Sequence, residues 1–230
     1  MSALEMTFLE QQDSLARELG DPNSTTDDQW PLVDRKFEIN FGELQFAKDT
    51  KMLLRIKTGT VTDKKIAIPS GWIETYVLVV NNKTFTNNKE ISLTEYEKFV
   101  NSGGDHYYYW TDESGNRLLN FINTNQDDQE YRLYYFGKPT VELTADGDTS
   151  IFPSEFRKAS VLFAAFTLLK QIGMTELSAT KFGEYQKLVA EGESYSKKLY
   201  RNIENATPEI CDDEEPQIDR QGKYPQGHCH

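Results

Sequence analysis

The stretch Pro153 to Ile172, PSEFRKASVLFAAFTLLKQI, constrains the fold more than any other part of the chain. Proline in a first turn followed by Glu155 is helix-start chemistry, because the ring has no N–H to leave unpaired and the carboxylate suits the positive end of the helix dipole. Apolar positions recur on one face at Phe156, Ala159, Phe163 and Phe166, continuing to Lys170. A second face carries Leu162, Ala165, Leu169 and Ile172. A helix that is apolar on two faces has to be covered on both. Its length, about 30 Å at 1.5 Å per residue, crosses a small domain, while Arg157, Lys158 and Lys170 leave too short an apolar run for a membrane span. The stretch predicts the central helix of the core.

Two shorter helical patterns precede it. Leu4, Phe8, Leu15 and Leu19 keep helical spacing over residues 3–19, with Gly20 as a stop. A polar turn, GDPNSTTDDQ, leads to Trp30-Pro31 and a second helix with Val33, Phe37, Phe41 and Leu44 along one stripe. Together they predict a helical hairpin. Gly42 weakens its second helix by roughly 1 kcal/mol relative to alanine, which close packing at that point would explain. After Asp49 the period turns from helical to alternating. MLLRIKTGTV, KKIAIP and ETYVLVV read as strands, the last running into an Asn81-Asn82 turn. Ser92 to Glu95 forms a capping box for a short helix, Leu93 to Val100. HYYYWT and RLLNFI flank Glu113 to Asn116 as a hairpin, and EYRLYYFG supplies another strand before Gly137 and Pro139. Beyond Gly173 and Met174, a long amphipathic helix runs from Thr175 to Asn202, with Phe182, Tyr185, Val189, Ser196 and Leu199 on one side.

The predicted class is therefore α+β. A helical bundle combines the N-terminal hairpin (residues 1–50) with a closing helix pair (151–203). A small, mostly antiparallel β domain (51–150) is inserted between them, and an extended acidic tail (204–230) follows. That tail holds Glu209, Asp212, Asp213, Glu214 and Glu215 with no basic residue before Arg220, a composition that cannot build a core of its own.

Charge and cysteine usage narrow the function. A net charge of -12 argues against general binding to nucleic-acid phosphates, which takes clustered Lys and Arg. It leaves room for a smooth acidic surface past which DNA moves without sticking. Cys211 and Cys229 both sit in the polar C-terminal stretch, so no disulfide framework is present and a reducing cytoplasmic origin is expected. MSALEMTFLEQQD has no basic n-region and no sustained apolar run, hence no visible signal peptide, and the sequons at Asn23, Asn82 and Asn205 read as chance.

Little in the chain calls for catalysis. His106 opens the YYYW strand and reads as a structural residue, and His228, Cys229 and His230 lack the four ligands at folded spacing that a structural zinc site takes. No nucleophile elbow, P-loop, dinucleotide fingerprint or HExxH motif occurs. SGGD at 102–105 reads as a turn, and Asp127-Asp128 as solvated loop carboxylates. The aromatic runs Tyr107 to Trp110 and Tyr131 to Phe136 alternate between strand faces. They suit a β core with an amphipathic rim, or an exposed patch used for assembly.

The order of parts resembles the head-to-tail adaptor (connector, or head-completion) proteins of tailed bacteriophages. FLEQQDSLARELGDPNSTTDDQWPLVDRKFEINFGELQFA is similar to their opening hairpin, with its LGDP…W turn. IAIPSGWIETYVLVVNNKTF, then YYYWTDESGNRLLNF with EYRLYYFGKPTVEL, resemble their central β region. IFPSEFRKASVLFAAFTLLKQIG with the long helix after it resembles their closing helical pair, so the likeness covers roughly residues 4–203. The resemblance implies a structural virion protein without active site or cofactor. It implies a ring, usually of twelve copies, made in the host bacterial cytoplasm and sited at the virion head-tail junction under the portal. Such a ring extends the channel for passing double-stranded DNA, with no sequence-specific binding and no membrane, and docks tail or nozzle proteins. On this reading the tail meets the portal through Ile203, Pro208, Ile210, Pro216, Ile218 and Tyr224. Trp30, Trp72, Tyr108 and Trp110 are the candidates for contacts with the neighbouring copy or the tail. The rival readings are a tail-tube or tail-completion ring protein, a virion-associated peptidoglycan hydrolase, and a cellular β-rich binding module.

Overall fold

The computed structural model describes residues 6–20, 30–85, 106–111, 117–122 and 126–204 of the chain. Among these residues the order is α1 (Phe8–Glu18), α2 (Leu32–Thr50), β1 (Leu54–Thr60), β2 (Lys65–Ala67), β3 (Trp72–Val80), β4 (Lys83–Phe85), β5 (His106–Thr111), β6 (Arg117–Ile122) and β7 (Glu130–Gly137). A 3-10 turn (Ser154–Phe156), α3 (Lys158–Gln171) and α4 (Thr175–Glu204) complete it. Met1–Ser196 form one compact unit, and Lys197–His230 a second that holds the last turns of α4. Helices flank antiparallel sheets, so the fold is α+β as the sequence predicts.

The central helix is α3, and it is covered on two sides. Val161, Ala164, Ala165 and Leu168 pack with Phe8 and Leu15 of α1, Ile39 of α2, Trp30 and Leu143. Ala159 and Leu162 pack with Phe46 and Ala47 of α2, Phe152, Phe156 and Tyr185 of α4. Ile172 lies past the last turn and is exposed, so the second predicted face ends at Leu169. The helices reach α3 closely because the contact residues are small. A Cβ on Gly42 would stand 2.6 Å from the Ser160 carbonyl oxygen, which makes this the point where α2 and α3 touch backbone to backbone. Gly192 lets α4 close instead on side chains at the end of α2, where a Cβ would meet Thr50 Cγ2 at 2.7 Å. The chain reverses after α3 at Gly173, whose φ of +79° favours glycine. There the Met174 N–H donates to the Leu169 carbonyl and the Gly173 N–H to that of Lys170, a Schellman closure. The Ser178 hydroxyl then donates to the Phe166 carbonyl, locking α4 antiparallel to α3.

Thr7 starts α1 with a capping box: its side chain accepts from the Glu10 N–H while Glu10 accepts from the Thr7 N–H at 2.7 Å. The capping box read at Ser92 to Glu95, with its short helix, lies outside the described residues. On α2 the observed face differs from the stripe read in the sequence. Val33, Phe37 and Phe41 are exposed, and the buried face is Arg35, Glu38, Ile39, Gly42, Glu43, Phe46, Ala47 and Thr50. Close approach at Gly42 decides the orientation and carries three charged side chains inward with it.

Two antiparallel sheets share one apolar core. The four-stranded sheet has the order β1-β7-β3-β4 and the three-stranded one β2-β6-β5. Leu78, Val80, Leu133, Tyr131 and Tyr135 from the first face Ile66, Leu119 and Phe121 from the second. The expected split of the β7 aromatics is present: Tyr131 and Tyr135 enter that core, while Phe136 lies on the other face beside Tyr76 at 5.4 Å. Asn81 and Asn82, with φ of 47° and 61°, make the tight turn between β3 and β4. Hairpin pairing of β5 with β6 also agrees with the sequence reading.

Two carboxylates in the helical part carry opposite electrostatics. Glu18 on α1 takes Lys181 of α4 at 2.5 Å and Lys158 of α3 at 3.1 Å, pinning three helices together. Burial opposes its ionisation, but the two lysines outweigh burial and hold its pKa below the ordinary value. Glu43 is buried where α1, α2 and α3 meet. Burial raises its pKa, against the pull of Ser150, Gln11, Arg157 and Ser160 around it.

Gly42→Ala should destabilise the protein by about 1–3 kcal/mol, because the clash with the Ser160 backbone exceeds the gain in helix propensity. A drop in the urea midpoint at unchanged slope checks it. The carboxylates predict opposite pH behaviour. Stability from Glu18 is present above the unfolded carboxylate range and is lost as pH falls through its lowered pKa. Glu18→Gln should therefore cost about 1–2 kcal/mol at pH 7, and the deficit should close on acidification. Glu43, with a raised pKa, favours the fold below that range and loses its contribution as pH rises. Glu43→Gln should gain on the native protein between pH 4 and 7 in paired denaturation curves.

Candidate functional site

The feature that most resembles a site is an apolar ridge on the outer surface of the bundle. Phe37 and Phe41, one turn apart on α2, stack with ring centroids 6.4 Å apart. Phe41 meets Phe163 of α3 at 5.8 Å, Phe163 meets Phe166 at 5.7 Å, and Phe166 meets Phe182 of α4 at 4.7 Å. One aromatic series thus crosses from α2 over α3 to α4. Its floor is fixed. Tyr185 packs on Phe163 at 5.1 Å and donates its hydroxyl to Asp49 Oδ2 at 2.6 Å, and Gln45 donates to the other oxygen of Asp49. Burial first, and then Asp49, push the Tyr185 pKa far above its ordinary value, so the hydroxyl stays a donor.

The outer end of the ridge is open. Val33 is 70% exposed, Phe37 65% and Phe41 38%. An aromatic side chain offers about 150–250 Å², so these residues with the partly covered rings beside them expose a few hundred Å². That is as large as the largest apolar patch of a typical monomer, and such patches mark contact sites. Lys170 sits 5.5 Å over the Phe166 ring, and Lys48 is exposed on the same side of α2. Both flank the apolar strip with positive charge.

The residues singled out in the sequence fall elsewhere. Trp30 is 5% exposed and packs with Phe8, Leu15 and Ile39, so its ring is occupied within the chain. Trp72 is half-buried against the core of the sheets; its indole N–H donates to Thr75 Oγ1 at 3.1 Å, and the Arg117 guanidinium lies 5.6 Å over its ring. Tyr108 and Trp110 belong to β5 at the edge of the three-stranded sheet, opposite Asn120 and Leu118, and their side chains lie outside the described residues. Ile203 is in the last turn of α4. Pro208, Ile210, Pro216, Ile218 and Tyr224 lie outside the described residues, as do Cys211, His228, Cys229 and His230. Of these candidates, the two whose side chains are described, Trp30 and Trp72, belong to different cores, that of the helices and that of the sheets. Phe37, Phe41, Phe163 and Phe166 were all visible at helical spacing, but periodicity alone could not say which of them face outward.

Chemistry is thin on the described surface. A polar cleft of about 600 Å³ at one end of the four-stranded sheet is lined by Thr58, Asn81, Asp128, Glu130 and Arg132 among others. Of the neighbouring carboxylate pair, Asp127 accepts from the Lys64 backbone N–H and Asp128 is exposed with a left-handed backbone, which are turn roles. Among the described residues no three His, Cys, Asp or Glu side chains group as metal ligands, and no helix is long and apolar enough to cross a membrane.

The described residues thus combine a helical unit that leaves an apolar edge exposed with two antiparallel sheets sharing a core. Residues 6–201 match the family model described as the SU10 adaptor protein, and the chain belongs to that family. The family is one of phage structural proteins rather than enzymes and is consistent with head-to-tail adaptors. No curated protein matches the chain.

Loss of an exposed ring should leave the fold untouched. Phe37→Ser is expected to change stability by no more than about 0.5 kcal/mol while clearly lowering the fluorescence of a bound apolar dye. A large drop in melting temperature would show that Phe37 belongs to the core.

Proposed function

We propose that this chain is a head-to-tail adaptor that assembles as a ring of twelve copies beneath the portal, extends the DNA channel and presents the surface on which tail or nozzle proteins dock. The observation that carries this reading is the family match over residues 6–201. The exposed apolar ridge supports it, since a ring built from one chain takes a heterologous contact between different faces of that chain. The net charge of -12 suits a channel along which DNA slides, because carboxylates near phosphates give no anchorage. The virion head-tail junction is the site of action. The segment after Asn202, most of it the acidic tail, meets the portal through Ile203, Pro208, Ile210, Pro216, Ile218 and Tyr224. The short apolar anchors spaced by charge suit a segment that binds through a few separated side chains.

Light scattering of the portal from the same genome, mixed with the full chain or with a chain ending at Asn202, tests both parts. Full-length protein should join the portal in a multiple that matches portal symmetry, and the shortened chain should not. Equal binding by both would remove the tail from the interface, and no binding by either would end the adaptor reading.

A further inference from the structure

Where α1, α2 and α3 meet, four buried side-chain atoms have no hydrogen-bond partner among the described residues: Gln11 Nε2, Gln11 Oε1, Glu43 Oε1 and Arg157 Nη1. Gln11 is 0% exposed, Glu43 4% and Arg157 8%. They belong to one cluster, since Ser150, Gln11, Arg157 and Ser160 all act on the Glu43 carboxyl. Other polar atoms of the cluster are already committed to the backbone. Arg157 Nε donates to the Phe152 carbonyl at 3.0 Å and the Ser160 hydroxyl to the Arg157 carbonyl at 3.0 Å, while Ser150 Oγ accepts from the Phe152 N–H at 3.2 Å. Nor can α2 and α3 draw nearer to close the gaps, because next to Glu43 a Cβ on Gly42 would already stand 2.6 Å from the Ser160 carbonyl oxygen. Buried polar groups in folded proteins are paired with protein or with ordered water, and one left unpaired is costly.

We propose that this junction is an internal hydration site, in which ordered water joins Gln11 of α1 to Glu43 of α2 and to Arg157 at the start of α3. The donor set selects the ligand. Gln11 Oε1 and Glu43 Oε1 accept, Gln11 Nε2 and Arg157 Nη1 donate, and turning the Gln11 amide over leaves that balance unchanged. Water both donates and accepts, and buried water makes two to four such bonds. A cation would meet the Arg157 guanidinium, and an anion the Glu43 carboxyl. Phe8 and Leu15, a turn to either side of Gln11 on α1, are both 0% exposed and close the site from solvent. The bound water is thus part of the contact that holds α1 on the bundle, and it leaves only when that contact opens. The site lies within a single copy, so it stands whatever the portal-binding experiment finds.

A crystal structure of the full chain, at a resolution that shows ordered water, is the direct test. Water density within hydrogen-bond distance of both Gln11 and Glu43 is expected. Direct contact of Gln11 with Glu43 or Arg157, with no water between them, would overturn the proposal. Nuclear magnetic resonance checks it in solution on the full chain labelled with nitrogen-15 at its glutamines. The side-chain amide protons of Gln11, assigned by triple-resonance correlation, should give a nuclear Overhauser cross-peak to water with the sign of a long-lived complex. That cross-peak should persist in a Ser150→Ala, Ser160→Ala chain, which lacks the two hydroxyl protons that could relay exchange with bulk solvent. No cross-peak in the native chain, or its loss with the hydroxyls, would show that no water is held there.

Discussion

Contact between α2 and α3 at Gly42 and Ser160 governs the arrangement of the helical part. A side chain at position 42 would enter the α3 backbone, so the two helices come together only because none is there. Once that point is fixed, the rotation of α2 is fixed with it. Ile39, Phe46 and Thr50 turn inward, and Phe37 and Phe41 turn outward. Gly192 repeats the device where α4 passes the end of α2, and the Ser196 hydroxyl confirms the closeness by donating to the Thr50 carbonyl at 2.9 Å. Helix propensity is given up at both glycines in exchange for packing.

The same rotation explains the buried charge. Bringing Gly42 onto α3 carries Glu43 with it into the junction of three helices, where burial works against its ionised form. Glu18, at the other end of α1, is partly solvated and held by two lysines, so its charge contributes to the fold. Two glutamates of one bundle therefore act in opposite senses. A buried carboxylate ringed by Gln11, Ser150, Ser160 and Arg157 is costly for stability.

Much of this was legible in the sequence, for identifiable reasons. The helix around Leu162 and Ala165 announced itself as central because both its faces were apolar, and β5 with β6 did so because period-two runs flanked turn residues. The Asn81-Asn82 turn followed from the tolerance of asparagine for left-handed backbone. The rotation of α2 was not legible. Val33, Phe37 and Phe41 form a better apolar stripe than Arg35, Ile39 and Glu43, and only a tertiary contact reverses that order. Trp30 was undecided for a related reason, since tryptophan suits interfaces and cores alike; within the chain its neighbours are Phe8, Leu15 and Ile39.

That reversal bears on what the chain is for. A folding unit selected only for its own stability would turn Phe37 and Phe41 inward and leave Arg35 and Glu38 in water, because apolar burial is favourable and charge burial is not. Here the opposite arrangement persists, with the rings outside and the charges inside. The rings are not loose: Phe41 leans on Phe163, which also packs on Phe166 and on Tyr185, itself tied to Asp49, so the exposed edge is held in place from within. A preorganised apolar edge loses little side-chain entropy when another surface closes on it. Among the described residues, the solvated rings of α2 are thus an apolar edge that the fold holds in place and leaves uncovered.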